Sequence, residues 1–184
     1  KAVVTNLFSL PASVDANDDV RPADLLVEFN NWACELVRPY DQLVPFIAAD
    51  PTAMPGEAGA KHVREMVEKH GARGIKLHPV VQRFEMTDPR MWPVYDACQE
   101  LGIPILVHSG PARSGEPYAE PRCFADVLAA FPNLTIVLAH LGGATWDQAL
   151  EIARAYPNAC FDCCEIIEWT GAPNAPTDAQ LARL

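Results

Sequence analysis

Residues 88–110 read DPRMWPVYDACQELGIPILVHSG. Pro93 stands in the first turn of a helix, where a missing N–H costs little. Gly102 stands where a helix wants a left-handed residue to end on. The run Ile103–His108 that follows is apolar and continuous rather than alternating, the pattern of a parallel strand covered on both faces. The stretch is a helix that hands over to a strand, and the strand ends in a histidine.

The same unit recurs outward in both directions. Runs rich in Val and Ile lie at Ala2–Leu7, Leu43–Ala48, Gly74–His78, Ile103–His108, Thr135–His140 and Cys160–Cys164, and their starts fall 41, 31, 29, 32 and 25 residues apart. Between them apolar residues recur at helical steps: Leu25, Leu26, Phe29, Trp32, Ala33 and Leu36; Val63, Met66 and Val67; Val127, Leu128 and Phe131; Leu150 and Ala153. Gly71 ends one helix, and Pro132 and Pro157 stop two others. The chain reads as six βα units in series.

Two α/β architectures use such a series, a doubly wound open sheet and a (β/α)8 TIM barrel. No Gly-x-Gly-x-x-Gly turn follows a strand and no Gly-Lys-Ser/Thr loop occurs, so the barrel leads. A closed barrel has eight units and typically about 250 residues. Lys1 opens directly on a strand, and Leu184 falls early in a helix announced by Thr177 with Gln180 three residues on. The expectation is a single domain over 1–184 that covers about six βα units and lacks about one at each end.

Composition narrows the function classes. The chain has 184 residues, 49% of them apolar, so disordered and fibrous classes are out. A formal charge of −10 repels phosphate backbones and anionic lipid, so neither nucleic acid nor a membrane is an expected partner. No apolar run approaches the ~20 residues of a membrane-spanning helix. Cys160, Cys163 and Cys164 form a Cys-x-x-Cys-Cys cluster without the second pair of a zinc ribbon. Most of the six cysteines are expected to be small buried hydrophobes in a reducing, cytoplasmic compartment.

A TIM barrel carries its chemistry at the C-terminal ends of its strands. Three consecutive strands end in histidine there: RGIKLHP with His78, IPILVHSG with His108, and TIVLAHLGG with His140. Imidazoles converging on one mouth can hold a divalent metal or shuttle protons. Lys76 shares a strand face with His78 and could meet a substrate carboxylate, bridge two metals once carbamylated, or serve only in an ion pair at the core edge. Arg113, in the loop after His108, could meet an anionic substrate, although a lone loop arginine is often simply hydrated. His62 and His70 lie in the polar stretch Lys61–His70 and are expected to be solvated. Asp162, Glu165 and Glu168 are assigned to structural or exposed positions. Ser109 lacks the Gly-x-Ser-x-Gly elbow, and Cys163 and Cys164 lie in an acidic stretch with no basic group near in sequence.

The stretches GIKLHP, DPRMWPVYDACQELGIPILVHSG and FADVLAAFPNLTIVLAHLGG resemble the amidohydrolase-related family of metal-dependent barrel enzymes. The similar branch contains aminocarboxymuconate semialdehyde decarboxylase, resorcylate decarboxylases and a pyrone dicarboxylate lactonase. The resemblance implies an eight-stranded barrel with one divalent metal, commonly zinc. It also implies that His108 is a metal ligand, that His140 is the catalytic acid/base, and that His78 faces the pocket. The family's first-strand His pair and eighth-strand Asp have no counterpart here.

The leading expectation is a hydrolase that cleaves a C–N or C–O bond of a small, carboxylated substrate through a metal-activated water. The alternative is non-oxidative decarboxylation, a carboxy-lyase reaction, on the same scaffold. A further alternative is a non-catalytic barrel homologue. Substrate binding falls to His78, Lys76 and Arg113, and a homo-oligomer is compatible with all three readings.

Overall fold

The computed structural model describes residues 1–5, 7–9, 21–112, 115–164 and 176–183. Among the described residues six strands form one sheet: β1 (Ala2–Thr5), β2 (Leu43–Ala48), β3 (Ile75–Leu77), β4 (Ile105–Val107), β5 (Ile136–Leu138) and β6 (Ala159–Phe161). Every neighbouring pair is parallel, and spatial order follows chain order from β1 to β6. An open doubly wound sheet reverses its strand order; this one never does. The fold is a half-barrel of (β/α)8 type.

Helices return the chain between strands: α1 (Pro22–Val37), α2 (Glu57–His70), α3 (Pro79–Gln82), α4 (Trp92–Leu101), α5 (Ala125–Ala130) and α6 (Trp146–Ala155); α7 (Asp178–Leu181) comes after β6. Gly71 and Gly102 end α2 and α4 in the left-handed conformation, at φ 75° and 64°. Pro93 sits in the first turn of α4. At α7 the Gln180 side chain accepts from the Thr177 backbone N–H at 2.8 Å, the reciprocal half of a capping box. No helix among the described residues is long and apolar enough to cross a membrane.

The strands are covered less evenly than their continuous apolar character suggests. Ile75, Leu77, Ile105, Val107, Ile136 and Leu138 are fully buried against helix residues such as Val63, Met66, Val94, Tyr95, Leu128 and Ile152. Each such side chain contributes about 1.5–3 kcal/mol through burial. The alternate positions Lys76, Leu106 and Val137 are only half-buried. They line the concave face of the half-barrel, the face that a barrel turns to its interior.

Two polar expectations change in the folded chain. His62 is buried rather than solvated, because it lies on the same face of α2 as Val63 and Met66. Its Nε2 accepts from Asn30 Nδ2 at 3.0 Å, and burial lowers its pKa, so the ring is neutral. Asn30 also donates to the Ala48 carbonyl at 2.9 Å and accepts from the Ala48 N–H at 2.8 Å, clamping α1 to the end of β2. All six cysteines are thiols, but only Cys34 and Cys98 are buried. Cys123 is half-buried, and Cys160, Cys163 and Cys164 are exposed.

Candidate active site

Register decides where the histidines fall. Leu77 pairs with Val107 and Val107 with Leu138, so the ends of β3, β4 and β5 are level. His78 and His108 each follow their strand by one residue and continue the concave face set by Lys76 and Leu106. His140 lies two residues beyond Leu138, and strict alternation would turn it towards the helices. The backbone prevents that. His140 and Leu141 adopt left-handed conformations, at φ 61° and 48°, and the imidazole comes back to the mouth.

Such conformations cost about 1–3 kcal/mol each for residues with a Cβ, and they persist only when the surroundings hold them. Here three successive N–H groups have acceptors. His140 N donates to Asp162 Oδ1 at 3.1 Å, Leu141 N to the Asp162 carbonyl at 3.0 Å, and Gly142 N to Ser109 Oγ at 3.1 Å. Ser109 is buried, and its hydroxyl donates to the Ala139 carbonyl. At Gly142, φ is 81° and a Cβ would lie 2.6 Å from Pro121 Cγ, so only glycine fits.

The three rings meet. His78 and His108 stack with centroids 3.9 Å apart and planes 10° apart, and His108 meets His140 edge-on at 5.1 Å. Burial, followed by the charge of Lys76, pushes the His78 pKa down to about 4. Burial, followed by the neighbouring His78, His140 and Lys76, pushes that of His108 down to about 3. Both rings are therefore neutral at physiological pH, the state in which an imidazole can bind a metal.

Behind His78 lies a buried support. Its backbone N–H donates to Gln82 Oε1 at 2.8 Å, and Gln82 Nε2 donates to the Ala49 carbonyl at 2.7 Å and to Asp50 Oδ2 at 3.3 Å. Asp50 in turn accepts from the N–H groups of Thr52 and Ala53. The end of β2 is thus tied to the residue that follows β3.

On the other side, Asp162 Oδ1 also accepts from the Cys164 N–H at 3.0 Å. Burial alone would raise the Asp162 pKa. Hydrogen bonds from Cys164 and from the backbone of His140 and Cys164 outweigh it and leave the pKa below its ordinary value. Cys164 Sγ lies 3.2 Å from His140 Nδ1, which is also 3.0 Å from the Cys164 carbonyl oxygen. The thiol that lacks a basic neighbour in sequence has one in space.

Of the residues marked in sequence, His78, His108 and His140 come together, and Lys76 lies close enough to act on the first two. Arg113, Glu165 and Glu168 lie outside the described residues. Sequence reasoning gave no role to Ser109, Gln82, Asp50 or Cys164. A polar side chain beside a strand end was the one signal available for the first three; no local pattern ties Cys164 to His140. An apolar groove of about 440 Å³ lined by Leu7, Phe8, Leu25, Phe29 and Trp32 contains no histidine and is a separate feature.

Comparison with known proteins speaks to the family and the fold. A family model described as amidohydrolase matches residues 5–183. Over 130 residues the chain is 25% identical to 2-amino-3-carboxymuconate-6-semialdehyde decarboxylase of Dictyostelium discoideum, covering 60% of this chain and 36% of that protein. A TIM-barrel protein of Bordetella bronchiseptica superposes with a TM-score of 0.66 at 23% identity, over 79% of this chain and 51% of the other. The 5-carboxyvanillate decarboxylase of Sphingomonas paucimobilis gives a TM-score of 0.54 at 17% identity, over 94% and 55%. The chain thus spans little more than a third of the curated relative and about half of each solved structure. At these identities the solved structures speak for the fold alone.

Proposed function

The chain belongs to the amidohydrolase family, and from that premise we propose that it serves the metal-dependent, non-oxidative decarboxylation of a small unsaturated or aromatic carboxylate. The observation that carries this reading is the meeting of three imidazoles above Lys76, two of them held neutral, at the C-terminal ends of parallel strands. Hydrolysis of a C–N or C–O bond, the leading expectation from sequence, uses the same residues. The lyase reading takes precedence because the curated relative is a decarboxylase.

His108 would contribute one neutral imidazole to a divalent metal, zinc in our reading. When bound, that ion supplies Lewis-acid charge that orients and polarises an anionic substrate. The Lys76 ammonium, on the same face, attracts the substrate carboxylate, and Arg113 is a second candidate for that contact. The stacked His78 limits how the substrate can lie across His108. His140 delivers a proton to the carbon that carries the carboxylate. The C–C bond breaks as the C–H bond forms, CO2 leaves, and solvent returns the proton to the ring.

The test is to incubate the full-length, metal-loaded protein in D2O with a panel of small carboxylated aromatic and enoic acids. We expect CO2 release with one solvent deuteron at the former carboxylate carbon. Turnover of amides, esters or lactones without CO2 would overturn the lyase reading and restore hydrolysis.

A further inference from the structure

Beyond His108 lies a second set of donors. His140, Asp162 and Cys164 offer one nitrogen, one oxygen and one sulfur, all within 4.8 Å of one another. We propose that these three side chains form a site for a soft divalent cation such as zinc, distinct from the one His108 serves, and that its occupation stops the enzyme by taking His140 out of proton transfer.

Donor chemistry and spacing carry the inference. Zinc takes thiolate, imidazole and carboxylate ligands at about 2.3, 2.0–2.1 and 2.0–2.2 Å, which in a tetrahedral site sets the donors about 3.3–3.7 Å apart. The Cys164 Sγ to His140 Nδ1 separation is 3.2 Å, so the pair needs to part by only a few tenths of an ångström to take a shared ion. The donors are also held from behind. Asp162 Oδ1 takes the N–H groups of both His140 and Cys164, so the carboxylate fixes the backbones of the other two ligands. Cys164 is exposed, so a cation can reach it from solvent. A thiolate favours zinc over the hard, oxygen-seeking magnesium or calcium.

Binding has a defined proton balance. The Cys164 thiol loses its proton to solvent, and ligation through Nδ1 leaves the ring proton of His140 on Nε2. An imidazole so ligated cannot cycle a proton to substrate. The binding claim stands on geometry alone; only its inhibitory consequence rests on the proposed role of His140.

Cobalt(II) is the probe, added to the full-length protein. A thiolate ligand gives cobalt an intense sulfur-to-metal charge-transfer band in the near ultraviolet, which nitrogen and oxygen donors such as His108 do not. We expect the band in the wild type and in Cys163→Ser and His108→Ala, and its loss in Cys164→Ser. Asp162→Asn should weaken cobalt binding at least tenfold, as read from the midpoint of the band. Absence of the band in the wild type, or its survival in Cys164→Ser, would overturn the site. In parallel, excess zinc should inhibit the wild type, and Cys164→Ser should need at least tenfold more. If the band behaves as expected but zinc does not inhibit, the cation site stands and the role given to His140 falls.

Discussion

His108 and His140 meet edge to face, yet the roles proposed for them separate cleanly on substitution. Removing a ligand lowers metal affinity itself, so His108→Ala should lose both bound metal and turnover. Removing a general acid leaves the metal in place and costs about 10²–10⁴-fold in rate. His140→Ala should therefore retain one metal ion, that of the His108 site, measured by elemental analysis, and lose turnover in that range. His140→Asn should be almost as slow, since an amide cannot exchange a proton near neutral pH. A metal-free His140→Ala would make His140 a ligand of the main site. What sequence could supply here was residue type and place: three histidines closing three apolar runs. It could not supply the direction of His140. That depends on a left-handed turn whose supports, Asp162 and Ser109, come from neighbouring strand ends.

At the level of elements, the best-read parts were those punctuated by their own residues. The ends of α2 and α4 are written in Gly71 and Gly102, and the six strands in runs of Val and Ile. The hidden part was contact between elements. His62 sits among charged neighbours in sequence, and only the step from His62 to Met66 betrays that it shares the buried face of α2. The clamp it completes is testable. Asn30 is fully buried and satisfies both backbone groups of Ala48. Asn30→Ala would strand both groups, and each buried orphan costs about 1–3 kcal/mol. We expect a loss of about 2–4 kcal/mol in urea denaturation, with an unchanged slope. Asn30→Asp keeps the acceptor but loses the donor and buries a charge, and should be no better. A loss below 1 kcal/mol for Asn30→Ala would show that water replaces the amide.

For the whole molecule, the lowered histidine pKa values fix how stability follows pH. His78 and His108 titrate at about 4 and 3 in the fold, against 6.5 for an unperturbed ring. Between those values the unfolded chain binds more protons than the native one, so stability falls as pH drops below about 6.5 and levels off only near 3–4. Buried His62 acts in the same direction. With metal removed by chelator, Tm should decline from pH 7.5 to 5.0, and the decline should be shallower in a His78→Asn, His108→Asn double variant. A flat profile in the wild type would mean that the rings are accessible to protons in the native state. The strand order carries a different consequence. Because each strand pairs with its neighbours in sequence, the sheet resembles a stack of repeats, in which cohesion is nearest-neighbour. Opening of β4 breaks two strand interfaces at once and lays bare Ile105 and Val107. Amide hydrogen exchange in β3, β4 and β5 of the full-length protein should therefore be slow and should slow together, and fast exchange in β4 alone would show that the interfaces are not coupled. The strands bearing His78 and His108 would stay shut.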